Sequence, residues 1–180
     1  MIHCVDNYTK ALMFAAKAHG FQSIPGTRIS YVAHLANVAM EVFAASVQDS
    51  FDTEFAMTCA YLHDTIEDTD IQEESIAQVF GPEVLLAVHA LSKKKELPKE
   101  EQMLDSIQRI LQQRKEVAIV KLADRIANLY SPPEFWSLEK RRRYQTEASL
   151  ILQHLGFACK PLADRLAQKI KDYQVYLEVR

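Results

Sequence analysis

The sequence is short of the residues that break or cross-link a chain. Only 4 glycines and 6 prolines punctuate its 180 residues, and they fall between periodic segments. The three cysteines, Cys4, Cys59 and Cys159, are odd in number and form no CxxC pair. That excludes a disulfide framework and a cysteine zinc site, and it fits a reduced cytoplasm. No run of 18 apolar residues occurs, so no transmembrane helix is expected. The segment from Met1 to Tyr8 carries His3 and Asp6 and lacks a long apolar core, so it does not read as a signal peptide. Neither sign of charge dominates: the formal net charge is −3. A strongly basic nucleic-acid surface is thereby excluded, while a local basic pocket is not.

What is present is ordinary globular composition, 48% hydrophobic and 25% charged. Disorder and low complexity are ruled out, and the length suits one domain over residues 1–180. The apolar period is helical nearly everywhere, and no useful β alternation occurs. Helices are expected over about 7–19, 30–47, 53–67, 82–91, 98–112, 116–129, 138–155 and 161–177. A short one, N-capped by Asp70, ends at Gly81. Residues 92–97 form a lysine-rich loop. The fold class is therefore all-α, with eight or nine helices and no internal repeat.

Several polar residues lie where core residues belong. His34 shares a stripe with Tyr31, Leu35 and Val38. His63 and Asp64 end the apolar run that begins at Cys59, and Asp124 is in line with Val117 and Val120. A buried carboxylate must be paired, hydrogen-bonded or bound to a metal, because desolvating it alone costs several kcal/mol. Two imidazoles and two carboxylates on three core helices can make a four-ligand site for a divalent cation. The plainer account is two hydrogen-bonded core histidines and an ion pair between Asp124 and Arg125. If the third helix continues past His63, then His63, Asp64, Glu67 and Asp68 project to one side. Three carboxylates there repel one another unless a cation is close, and acids at a helix C-terminus oppose the macrodipole.

The segment from Ala60 to Thr69, with His63-Asp64 and Glu67-Asp68, resembles the LLHDxxEDT motif of the HD-domain alarmone hydrolases. Val120 to Asn128 resembles that family's (I/V)KLADRxxN. Ala18-His19-Gly20-Phe21-Gln22, Pro25-Gly26 and Tyr31 to His34 resemble its AHxGQ…G…PYxxH start, and Phe80 to Val84 matches a further element. The resemblance covers about residues 7–166 and is strongest to the single-domain small hydrolases. It implies an all-α HD domain that hydrolyses guanosine 3′,5′-bis(diphosphate) and the pentaphosphate with one Mn²⁺, releasing 3′ pyrophosphate. On the same basis His34, His63, Asp64 and Asp124 would hold the ion. Glu67 and Asp68 would orient and deprotonate the attacking water. Asn128, Tyr144 and Lys140 would face the substrate. Hard carboxylates with imidazole suit Mn²⁺, and Zn²⁺ or Fe²⁺ can take the same ligands.

The chain departs from the family pattern between Gln22 and Ser30, where long-chain members carry an Arg-Lys pair. Here Arg28 is the candidate replacement charge. This leaves open a phosphatase for another nucleotide, such as the 2′-phosphate of NADPH or a deoxynucleoside monophosphate. A non-catalytic module that binds an alarmone or a partner protein is a third reading. Lys93-Lys94-Lys95 reads as solvated surface before it reads as a phosphate contact. Of the run Lys140 to Arg143, wrapped around a helix, only Lys140 can share a face with Tyr144.

Overall fold

The computed structural model describes residues 2–178, with side chains from Val5 onward, so the side chains of His3 and Cys4 lie outside the described residues. Ten α-helices follow one another among the described residues: α1 (Ile2–His19), α2 (Val32–Ser46), α3 (Thr53–Leu62), α4 (Thr65–Asp68), α5 (Glu73–Phe80), α6 (Pro82–Leu91), α7 (Lys99–Ile110), α8 (Lys115–Asn128), α9 (Leu138–Leu155) and α10 (Lys160–Asp172). Two 3-10 turns, Gly156–Ala158 and Tyr173–Tyr176, complete the set. No strand occurs among these residues, only an isolated bridge between Ser23 and Ser30. The all-α expectation holds.

Caps explain several boundaries. Asp52 accepts a hydrogen bond from the Phe55 amide at 3.0 Å and starts α3. Ser137 accepts one from the Lys140 amide at 3.2 Å and starts α9. Pro82 occupies the first turn of α6, where its missing N–H costs nothing. Several boundaries differ from expectation: α1 begins at Ile2 rather than near Asn7, and α10 ends at Asp172, where the chain tightens into the 3-10 turn Tyr173–Tyr176 instead of continuing to about Leu177. Asp70 does not cap α5; Gln72 precedes that helix, with extended backbone. The third expected helix is broken at His63-Asp64, where Asp64 takes φ −101° and ψ 0°. The single turn α4 then restarts, which brings the helix count to ten.

Helix α8 is the axis of the fold. Residues Glu116 to Ala127 are all buried, and it packs against α2, α3, α6, α9 and α10. Ile119, Leu122 and Ile126 are fully excluded from solvent. Ile119→Ala should lower unfolding free energy by about 2–5 kcal/mol through lost transfer energy and the cavity left. Urea unfolding with an unchanged m-value would show it, and a loss below about 1 kcal/mol would mean the core around α8 can collapse onto the gap.

The loop between α1 and α2 lies against the loop between α8 and α9. Gly26, at φ +79°, makes the contact possible: a Cβ there would stand 3.0 Å from Pro133 Cβ and 3.5 Å from the Phe135 ring. This places Gln22 to Ser30 and Ser131 to Ser137 on the same side of the molecule.

Candidate metal centre

Helix α2, the C-terminal cap of α3 and helix α8 each contribute a polar side chain to one buried point. His34, His63 and Asp124 offer ligand atoms that all lie within 4.8 Å of one another, and all three residues are buried. The two Nε2 atoms are 3.3 Å apart, and Asp124 Oδ1 lies 3.5 Å from that of His34 and 3.6 Å from that of His63. Asp64 Oδ2 approaches the same nitrogens, at 2.8 Å from His63 and 3.6 Å from His34. The helix break after α3 permits this, because it turns Asp64 out of the helical register that would follow His63.

The donor set fits a divalent cation. Two imidazole nitrogens and two carboxylates converge, and His63 Nδ1 lies 2.8 Å from the Ala60 carbonyl, which leaves Nε2 as the free ligand atom. Tyr31 donates its hydroxyl hydrogen to Asp64 Oδ2. His19 stacks on Tyr31 with ring centres 4.8 Å apart, and its Nδ1 lies 2.7 Å from Gln22 Oε1. Its buried Nε2 has no partner among the described residues. On the other side Lys121 Nζ lies 3.2 Å from Asp124 Oδ2, and Asn128 donates to Asp124 Oδ1 at 2.5 Å.

Without a cation the carboxylates hold protons on the imidazoles. Burial opposes charge on His63, but the fields of Asp64 and Asp124 overcome it and raise its pKa well above the usual value. His34 moves the same way: burial lowers it, and its hydrogen bonds to Asp124 and Asp64 more than reverse the effect. Burial works against ionised Asp124 too, yet Lys121, His34 and His63 keep its carboxyl well below the usual range. A ligand imidazole must be neutral, so binding a cation must displace these protons. Apparent metal affinity should therefore rise with pH, by about tenfold per unit for each proton released, until the imidazoles are deprotonated in the free protein. Titration with Mn²⁺ from pH 6 to 8 measures it, and a pH-independent affinity would contradict protonated imidazoles in the metal-free state.

Glu67 and Asp68 lie on α4, one turn past the ligand pair. Burial first, then the charges of Asp64 and Glu67, push the Asp68 carboxyl up to about 6. Glu67 Oε2 accepts a hydrogen bond from the Lys93 backbone amide at 2.7 Å, and Lys95 Nζ donates to the Glu67 carbonyl.

The expected substrate-side residues divide. Asn128 sits at the rim, bonded to Asp124. Tyr144 packs over the Arg125 guanidinium at 4.2 Å and meets Trp136 edge-on, with ring centres 5.1 Å apart. Lys140 lays its ammonium 4.1 Å from the Trp136 ring centre, so Lys140, Trp136 and Tyr144 form one row. Arg28 is exposed in the loop before α2, and among the described residues no hydrogen bond or ion pair joins it to the cluster. The ion pair considered between Asp124 and Arg125 does not form. Arg125, only 3% exposed, pairs with Glu147 at 3.2 Å, and Asp124 takes Lys121 instead. Of the lysine run, Lys94 and Lys95 are exposed as the surface reading has it, Lys94 lying 3.5 Å from Asp105, whereas Lys93 is drawn in toward Glu147 at 3.6 Å. The roles of Lys121 and Glu147 carried no sequence signal beyond being charges at helical spacing.

A family model described as an HD domain matches residues 11–160. This chain belongs to the HD-domain family. This HD-domain protein is 29% identical over 153 residues to the guanosine-3′,5′-bis(diphosphate) 3′-pyrophosphohydrolase MESH1 of Drosophila melanogaster, covering 82% of this chain and 84% of that protein. The Danio rerio protein of the same name is 33% identical over 113 residues, or 61% of this chain and 63% of its own length. Among solved structures, one described as a metazoan ortholog of SpoT that hydrolyzes ppGpp superposes with a TM-score of 0.80 at 26% identity, covering 96% of this HD-domain protein and 97% of that chain.

Proposed function

We propose that this protein is a divalent-metal-dependent hydrolase of guanosine 3′,5′-bis(diphosphate), and of the pentaphosphate, releasing pyrophosphate from the 3′ position. The observation that carries the reading is the buried convergence of His34, His63, Asp64 and Asp124 with two carboxylates, Glu67 and Asp68, on the next turn. The names of the similar animal proteins give the substrate class.

His34, His63, Asp64 and Asp124 would hold the ion, for which Mn²⁺ fits the mixed imidazole and carboxylate set. When bound, the ion polarises a phosphoryl oxygen and makes water more acidic. Glu67 and Asp68 orient the attacking water and take its proton as oxygen adds to the first phosphorus of the 3′ diphosphate. The bond from that phosphorus to the ribose 3′ oxygen breaks, that oxygen takes a proton from solvent to become the 3′ hydroxyl, and the products are pyrophosphate with GDP from the tetraphosphate or GTP from the pentaphosphate. Asn128, anchored on Asp124, faces the ribose or phosphate side of the nucleotide. Tyr144 and Lys140, arrayed with Trp136, offer an aromatic and cationic face to the rest of it. No described helix is long and apolar enough to cross a membrane, and the buried free thiols of Cys59 and Cys159 fit a cytoplasmic setting.

The test is turnover of guanosine tetraphosphate by purified protein with added Mn²⁺, products separated by anion exchange, and an EDTA control. GDP and pyrophosphate in equal amounts, lost with EDTA, are expected. Absence of turnover by metal-loaded protein would overturn the substrate and direct attention to other phosphorylated nucleotides and to the loop carrying Arg28.

A further inference from the structure

Glu67 sits on a helix of one turn, which cannot by itself hold a carboxylate in a fixed place. Its Oε2 is instead held by a neighbouring segment, through the Lys93 backbone amide at 2.7 Å. That segment, just past α6, is itself pinned. Arg109 on α7 donates to the Ser92 carbonyl at 2.7 Å and also to the His89 carbonyl. Arg109 is in turn held by Asp105, 2.7 Å away. Lys93 does not extend into solvent: its side chain is 26% exposed, and its ammonium points to Glu147 on α9 at 3.6 Å. Glu147 is shared with Arg125, one residue beyond Asp124 on α8. A continuous path thus joins the Glu67 carboxylate, the Lys93 amide, the Lys93 ammonium, Glu147 and the helix that carries Asp124.

We propose that Lys93, anchored by Glu147, is the positioning residue for Glu67, holding that carboxylate at a fixed distance from the ligand helix α8. The inference rests on the hydrolase reading given above, and it assigns Lys93 no contact with substrate. A carboxylate that must take a proton from water is sensitive to its placement, and displacement by about 1 Å can cost a factor of about 10² in rate. The Glu147 pairing keeps the ammonium inside, and the backbone of residue 93 is thereby kept facing Glu67.

Four variants, read by kinetics, bound metal and one amide resonance, test it. Lys93→Met keeps the aliphatic stem and the backbone donor but removes the anchor; Glu147→Gln removes the same anchor from the other end. Each should lower kcat by about tenfold or more, with KM and bound Mn²⁺ unchanged, and Lys93→Arg should restore most of the rate. In ¹⁵N-labelled protein the amide proton of residue 93 should resonate far downfield in the wild type, as expected for a donor to a carboxylate. It should move upfield in Glu67→Gln and in Glu147→Gln. A raised KM with unchanged kcat in Lys93→Met would make Lys93 a substrate contact and overturn the proposal. So would unchanged kcat in Lys93→Met with the amide resonance still downfield. Loss of kcat in step with loss of bound metal would also overturn it, as a general structural effect. The amide shift needs no turnover, so it reports on the anchor even if the wild-type protein leaves guanosine tetraphosphate intact, an outcome that sinks the hydrolase reading alone.

Discussion

Asp124→Ala should yield a protein that binds no Mn²⁺ and turns over guanosine tetraphosphate at least about 10³-fold more slowly than wild type. The argument begins with charge. Asp124 is 6% exposed, and its two oxygens face His34, His63, Lys121 and Asn128. Removing it takes one anion from the ligand set and leaves the Lys121 ammonium buried, with only the Leu91 carbonyl at 3.4 Å. Breaking a buried pair in this way costs about 3–5 kcal/mol, because the remaining charge is uncompensated. The alanine variant is therefore expected to be destabilised as well as inactive. Asp124→Asn separates the two effects. It keeps the volume and an oxygen for Asn128 or Lys121, but it withdraws the negative charge that the cation needs. Its circular dichroism should stay helical while metal content by elemental analysis falls toward zero. Full activity or full metal loading in Asp124→Asn would remove Asp124 from the site.

The fold class was legible in the helical period, and so was the placement of His34, His63 and Asp124 on apolar faces; their reading as one ligand set, with Asp64, came from the family resemblance. Asp124 stands out as a carboxylate in line with Val117 and Val120 on an apolar helix, and the structure buries it as that pattern requires. The break between α3 and α4 was not legible. Ile66 keeps the apolar period past His63, so the pattern reads through as one helix, while the bond geometry at Asp64 leaves no compositional trace. The partner of Arg125 was hidden for a different reason. Its nearest carboxylate in the chain is Asp124, yet tertiary packing supplies Glu147, which is 22 residues away, and gives Asp124 to Lys121. Lys93 shows the same limit: three consecutive lysines in a loop look solvated, as Lys94 and Lys95 are, and only the approach of α9 draws Lys93 onto an acid. Local pattern thus locates the groups that must be compensated, and long-range packing decides which group compensates each.

Glu67→Gln should separate chemistry from metal binding. Glu67 makes no contact with His34, His63 or Asp124 in the described structure; its carboxylate is taken up by the Lys93 amide. The glutamine variant should therefore retain a full complement of Mn²⁺, and its kcat should fall by about 10²–10⁴-fold, the range for a lost general base. Simultaneous loss of metal and rate would show instead that Glu67 supports the ligand cluster. The pH profile adds a second, signed expectation. Asp68 is raised to about 6 by burial and then by the charges of Asp64 and Glu67. A carboxyl accepts a proton only when ionised, so the wild-type rate should fall as pH drops through the Asp68 pKa. A bound cation draws that value down in both proteins. Neutralising Glu67 removes one of the two negative charges acting on Asp68, so its pKa must fall further. The acid limb of the residual activity in Glu67→Gln should then lie at lower pH than in the wild type. An acid limb that stays in place would mean that Asp68 does not set it, because losing the Glu67 charge must move the Asp68 pKa.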